Sequence, residues 1–156
     1  MYDITIRHFK PSDTPELIQL FRDAVHTINI QHYAPEQIAV WAPEDIDQDK
    51  WLKSLVQNIT FVAELDGKVV GFADMTHEGY LDRLYVHKDY QGRFIAFRLF
   101  KHIEQAARKL GLTKITTDCS ITARIPAERM GFKVVKEQIV VRKGVKLKNY
   151  VMEKEL

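Results

Sequence analysis

The stretch Leu84-Tyr85-Val86-His87-Lys88-Asp89-Tyr90-Gln91-Gly92-Arg93-Phe94-Ile95-Ala96 reads as a strand ending at Val86, a short polar loop and the start of a helix. Downstream, Ala96, Leu99, Phe100, Ile103, Ala106, Ala107 and Leu110 recur at steps of three and four. They give one apolar face to a long helix, expected from about Gly92 to Leu110 with Gly111 as its stop. A loop that opens a helix presents free backbone N–H groups and the positive end of the helix dipole. Such a junction suits an anion, most often a pyrophosphate, and Arg93 places a cation beside it.

Outward from this segment, the periodicity changes from two to near four and back. Ile4 and Ile6 alternate with Thr5 and Arg7 as a first strand. Pro11-Ser12-Asp13 turns into a helix whose stripe is Leu17, Ile18, Leu20, Phe21, Val25 and Ile28. Pro35 to Trp41 reads as a short helix with proline in its first turn, and Asp49 to Val56 as another. Thr60 to Leu65 and Lys68 to Met75 are apolar runs joined by Asp66-Gly67, a hairpin signal because both turn positions tolerate positive φ. Tyr80 to Val86 is the strand of the opening stretch. After the long helix come a strand at Lys114 to Asp118, a short helix at Ala123 to Met130, and strands at Lys133 to Val141 and Val145 to Met152 around Gly144. Strand, long helix and strand in succession predict a parallel crossover, and the flanking hairpins predict a mixed sheet. The expected fold is α/β, a three-layer α/β/α domain around a central twisted sheet.

Composition narrows the setting. With 156 residues the chain suits one domain, 1–156. Hydrophobic residues at 46% supply enough apolar surface to argue against disorder. Lys+Arg 23 against Asp+Glu 21 is too balanced to suggest nucleic acid as a partner. No run approaches the ~20 apolar residues of a membrane span. The opening Met1 to Arg7 alternates and carries early charge, unlike a secretory signal. Cys119 is the single cysteine, which excludes an internal disulfide and fits a reducing cytoplasm. The His residues show no paired metal spacing, so no metal is expected.

The opening stretch resembles motif A of the GNAT superfamily of N-acetyltransferases, V-x-x-x-x-Q/R-x-x-G-x-G/A, through Val86, Gln91 and Ala96. Ser120-Ile121-Thr122-Ala123 with Glu128-Arg129-Met130-Gly131-Phe132 resembles motif B, S/N-x-x-A-x-x-F-Y-x-x-x-G-F. The first strand, the Asp66-Gly67 hairpin and Val70-Gly71-Phe72 also sit where that family has them, so the resemblance spans essentially the whole chain. It implies acetyl-CoA as co-substrate, bound in a cleft where the central sheet splays. Leu84, Tyr85 and Val86 would hold the pantetheine arm and acetyl carbonyl. Gln91, Gly92, Arg93, Phe94, Ile95 and Ala96 would wrap the pyrophosphate, and Ser120 and Ala123 would line the other wall. The implied reaction is direct attack of an amine on the thioester, with backbone N–H groups at a strand bulge stabilising the oxyanion.

Two positions depart from the family pattern. Phe94 replaces a motif glycine. If Phe94 is helical it needs no positive φ, but its Cβ tilts toward the phosphates. Ala127, after Pro126, stands where motif B has the tyrosine that protonates the departing thiolate. A thiol pKa near ~8.5 makes the thiolate a tolerable leaving group without that acid. Strict alternation would place Tyr80, Asp82 and Leu84 on one face with Val86. Many relatives carry a carboxylate six residues before the valine, where this chain has Tyr80. Asp82 is therefore the candidate base or amine-binding carboxylate and Tyr80 the candidate acid, with Asp74, His77 and Glu78 nearby.

Blander readings stand beside these. Asp82 and Arg83 can be paired strand residues, and Tyr80 a packing aromatic. Cys119 reads as an inert strand-end residue. Trp41 and Trp51 either pack the helical region or border the acceptor site. The leading expectation is acetyl transfer to a small-molecule or peptide primary amine, with no nucleic acid or membrane partner. Phe94 and Ala127 motivate an alternative, a module that binds acyl-CoA without turnover. A homodimer through the edge of the Lys133–Met152 hairpin is a third.

Overall fold

The computed structural model describes residues 3–156. Its strands are β1 (Ile4–His8), β2 (Ile59–Leu65), β3 (Lys68–Met75), β4 (Tyr80–Val86), β5 (Lys114–Ser120), β6 (Lys133–Arg142) and β7 (Val145–Glu155). Its helices are α1 (Thr14–Thr27), α2 (Pro35–Trp41), α3 (Gln48–Gln57), α4 (Ile95–Lys109) and α5 (Arg124–Arg129). The strands form one mixed sheet in the order β1-β2-β3-β4-β5-β7-β6. Among the described residues only β4 and β5 pair in parallel, joined through α4 as the expected crossover. Among the described residues no helix is long and apolar enough to cross a membrane.

Each face of the sheet carries its own core. On one face Val70, Ala73, Leu81 and Ile115 meet Leu99, Phe100 and Ile103 of α4. On the other, Val62, Val69, Phe72 and Leu147 meet Leu17, Leu20, Phe21 and Val25 of α1, with Ile38 of α2 and Leu55 of α3. Burying each such large side chain contributes roughly 1.5–3 kcal/mol. Strand β3 is buried on both faces apart from Lys68, so it reads as a continuous apolar run instead of an alternating one. Gly71 lets α4 approach: a Cβ there would meet Leu99 Cδ1 at 3.0 Å and Ile95 Cγ2 at 3.1 Å. The hairpin turn has the predicted chemistry, with φ of 49° at Asp66 and 80° at Gly67. At the opposite margin β6 ends the sheet, and Ile139 and Val141 on it are exposed.

Two local expectations are corrected. The long helix begins at Ile95, not at Gly92, because Gly92 (φ 73°) and Phe94 (φ 60°) are both left-handed. Phe94 is thus the N-cap residue, outside the helix, and its backbone does carry positive φ. The second correction concerns the alternation along β4. Asp74 pairs with Arg83 and Met75 with Leu81, so Asp82 is left without a partner in β3 and forms a bulge. The bulge breaks the parity. Leu81, Leu84 and Val86 all belong to the α4-side core, whereas Tyr85 packs with the α1 side. Tyr80, adjacent to Leu81, therefore points away from the face shared by Leu84 and Val86.

A buried ion pair braces this bulge. Asp74 is 0% exposed and accepts from Arg83 Nε at 3.0 Å, Arg83 Nη2 at 2.5 Å and Asn58 Nδ2 at 2.9 Å. The guanidinium also donates to Ser54 Oγ at 2.6 Å and lies 4.5 Å from the Trp51 ring centre. Removing one member of such a pair leaves a buried charge unmatched. Asp74→Ala is expected to lower unfolding free energy by about 3–5 kcal/mol. Urea denaturation checks this, and a loss below ~1 kcal/mol would show that the pair is not what holds the bulge.

Candidate acyl-transfer site

Strands β4 and β5 are paired at Tyr80↔Thr116 and Leu81↔Thr117 and at no later position. Thr117 Oγ1 donates to Leu81 O at 2.8 Å at this last point of contact. Beyond it β4 stays bonded to β3 as far as Val86, and β5 to β7 as far as Ser120. The two inner edges thus diverge and face each other across a cavity of about 350 Å³. Leu84, Tyr85, Val86, Gln91, Ala96, Ser120 and Ala123 all line it, as do Tyr80 and Asp82. Tyr80 and Ala123, 43 positions apart in the sequence, line the same space.

Gly92, Arg93, Phe94 and Ile95 do not line the cavity. The first three form the turn outside it, and Ile95, the first residue of α4, is buried in the core. In that turn, left-handed residues at Gly92 and Phe94 flank Arg93. Alternation of this kind gathers successive N–H groups into a concavity that suits an anion. The first turn of α4 has no side-chain cap, so its leading donors have no partner from an N-cap side chain. Gln91 secures the turn by donating from Nε2 to Val86 O at 2.8 Å, which ties the loop to the end of β4. The Arg93 guanidinium sits 5.0 Å from the centre of the Tyr90 ring. The Phe94 side chain is 78% exposed.

On the opposite wall, Ser120 Oγ accepts from Ala123 N at 3.1 Å and lies 3.4 Å from Asn29 Nδ2. Pro126 and Ala127 also line the cavity, so the motif B tyrosine position is a cavity wall that carries no hydroxyl. Tyr33 fastens this wall from the α1 side. Its hydroxyl donates to Lys148 O at 2.7 Å and accepts from Ile121 N at 2.9 Å.

The polar groups at the Asp82 end of the cavity come from β4, β5 and β6. Asp82 lies at the bulge with its side chain 40% exposed, 3.7 Å from Arg83 Nη2. Burial, then the charge of Asp74, pushes its carboxyl above the usual range, and Arg83 and Arg142 partly oppose this. The Tyr80 hydroxyl donates to Asp118 Oδ2 at 2.9 Å, and Gln138 Nε2 donates to Asp118 Oδ1 at 3.2 Å. Burial first, and Asp118 second, raise the Tyr80 pKa, so the phenol keeps its proton at neutral pH. Asp74 is committed to Arg83, and neither Asp74, His77 nor Glu78 lines the cavity. Cys119 is buried, its thiol pushed up to about 12 by desolvation. Trp41 borders the cavity, whereas Trp51 packs between Phe21 and Phe72.

Asp118, Gln138, Asn149 and Asn29 escape sequence reasoning. Each is an unremarkable polar residue until the register places it. Ser120 opposes Asn149 across β5 and β7, and Asn149 opposes Gln138 across β7 and β6. The one available signal was parity in β5, where buried Ile115, Thr117 and Cys119 turn Asp118 the other way.

Comparison with known proteins agrees with this geometry. The model of the acetyltransferase (GNAT) domain matches residues 29–154. The uncharacterized N-acetyltransferase YafP of Escherichia coli K12 is 36% identical over 152 residues, spanning 97% of this chain and 96% of that protein. A GCN5-related N-acetyltransferase from Rhodopseudomonas palustris superposes with a TM-score of 0.95 at 29% identity, over 100% of this chain and 98% of the other. The PaiA N-acetyltransferase of Thermoplasma acidophilum, solved with coenzyme A, shares the fold at a TM-score of 0.81 and 22% identity, over 99% of both chains. The diverging strands, the left-handed turn before α4 and these likenesses agree, and the chain belongs to the GNAT family and is an acyltransferase of the N-acetyltransferase kind.

Proposed function

We propose that this protein transfers acetyl from acetyl-CoA directly to a primary amine of a small molecule or peptide. The observation that carries the reading is the separation of β4 from β5 after Leu81 and Thr117, with the Gly92–Phe94 turn at its mouth. The residues fit the co-substrate on physical grounds. The turn concentrates N–H donors for phosphate, and the unpaired edge of β4 offers backbone groups to an amide-bearing arm. Coenzyme A in the PaiA structure supports the same assignment. Acetyl-CoA supplies an acyl group activated as a thioester.

In this proposal Leu84, Tyr85 and Val86 hold the arm from the β4 side, and Ser120 and Ala123 close the β5 side. Gln91 to Ala96 hold the pyrophosphate. Asp82 is the carboxylate that draws in the ammonium, or the base that takes its proton before attack. Tyr80 is the second catalytic group, beside it on the acceptor side of the bulge. With alanine at 127, the leaving thiolate departs without help from that position. A cytoplasmic setting fits the buried, reduced Cys119.

The experiment is calorimetry with acetyl-CoA, followed by thiol release over an amine panel. Micromolar to millimolar binding and thiol release with at least one amine are expected. No heat at millimolar acetyl-CoA would sink the reading, and binding without release from any amine would favour the non-catalytic module instead.

Asp82 gives a prediction of opposite sign for activity and stability. Its folded pKa lies above the unfolded value of ~3.9, so ionisation costs folding free energy as pH rises past that value. Asp82→Asn should therefore lower kcat/KM and flatten its acidic limb, yet melt at a higher temperature at pH 7. The gain in melting temperature should close below about pH 4. An unaltered pH–rate profile would remove Asp82 from the reaction.

Phe94 supplies the last test here. A bulky residue with φ of 60° carries a penalty of about 1 kcal/mol that glycine does not. Phe94→Gly is expected to stabilise the fold by about that amount and to bind acetyl-CoA no more weakly than the parent. Weaker binding by calorimetry would show that the exposed ring contributes to holding the co-substrate.

A further inference from the structure

Tyr80, Asp118 and Gln138 come from three strands and meet on the acceptor side of the cavity. The phenol donates to Asp118 Oδ2 at 2.9 Å, and Gln138 Nε2 fixes the other carboxylate oxygen at 3.2 Å. Because the hydroxyl proton is directed at Asp118, the phenol offers its lone pairs to the cavity that Tyr80 lines. A hydroxyl that donates to a carboxylate becomes a stronger acceptor in turn. A group so arranged is poorly suited to protonating a thiolate and well suited to receiving a proton from an ammonium.

We propose that Tyr80 and Asp118 form a proton relay for the acceptor amine, in which Asp118 is a positioning residue and proton sink and Gln138 holds it in place. This rests on the acetyl-transfer reading above. In the step, one N–H bond of the ammonium breaks as that proton bonds to the Tyr80 oxygen. The original Tyr80 O–H bond breaks as its proton passes to Asp118 Oδ2. The amine is left neutral with its electron pair free, the phenol again carries one proton, and Asp118 becomes a neutral acid. Asp118 is exposed, so it returns the proton to water. Asp82 and Arg142 are the charged groups whose fields reach Tyr80 besides Asp118. Asp82 attracts the ammonium toward the phenol, and the Arg142 charge favours the anionic form of neighbouring groups. Arg83 is occupied by Asp74.

The test uses the full chain, acetyl-CoA and the amine that gives the most thiol release in the panel. Tyr80→Phe and Asp118→Asn are each expected to lower kcat tenfold or more, with KM for acetyl-CoA within twofold of the parent. Asp118→Glu should recover part of the loss, and the double variant should be no worse than the poorer single one. A second readout needs no turnover. With tyrosine labelled at Cζ, the Tyr80 resonance, identified by its loss in Tyr80→Phe, should begin to titrate at lower pH in Asp118→Asn. A parental kcat or an unmoved Tyr80 titration in Asp118→Asn overturns the relay while leaving acetyl transfer standing. No thiol release by the parent with any amine overturns acetyl transfer and the relay with it.

Discussion

The site depends on the failure of two parallel strands to stay together. β4 and β5 hold each other through Tyr80↔Thr116 and Leu81↔Thr117, and then part. Buried backbone groups normally find partners, so a sheet does not open inside a core without something to keep it open. Here the opening starts at the bulge formed by Asp82. Behind the bulge, the Asp74–Arg83 pair, stacked on Trp51 and bonded to Ser54 and Asn58, fixes β4 against β3 and α3. On the far side, β7 holds β5 along its whole length. Each strand is secured to its outer neighbour, and the space between them is left for a ligand.

The same device sorts the chemistry. One extra residue in β4 sends Leu84 and Val86 into the α4-side core and leaves Tyr80 on the opposite side with Asp118. The cavity therefore has an apolar stretch beside α4 and a polar, titratable stretch toward α1 and β6. The two environments meet at the bulge, as the proposed transfer from a thioester to an amine requires. Burial at this point raises both Asp82 and Tyr80. A carboxyl held above its ordinary range costs stability and gains basicity, which is a common bargain at reactive sites.

Phe94 shows how a motif can be kept in backbone form while its residue type changes. The family pattern has glycine there, and the left-handed φ explains why: the turn must reverse its N–H direction just before α4 begins. Phenylalanine adopts the same conformation at an energetic cost and with its ring largely in solvent. Gln91, bonded to Val86 O, keeps the turn in register regardless of that substitution.

Much of this was legible in the residues themselves. The Asp66-Gly67 turn, the α4 stripe, the crossover and the two motifs follow from local chemistry and short periods, which neighbours along the chain determine. Leu84, Tyr85, Val86, Gln91 and Ala96, which line the cavity, are legible because motif A lies in one continuous segment. What escaped was whatever depended on register. A bulge is invisible to an alternating pattern, which puts Tyr80 on the face of Val86. The spacing of Phe94 fits a helix, and only the left-handed turn shows otherwise. Parity along β5 tells which way Asp118 turns but not what it meets, and Gln138 carries no local signal; their meaning arises when β4, β5 and β6 are set side by side. The sequence by itself determined the family, the strand-loop-helix junction and the layers. Tertiary structure alone decided which polar groups face one another, because hydrogen-bond partners dozens of residues apart are chosen by strand pairing and not by spacing.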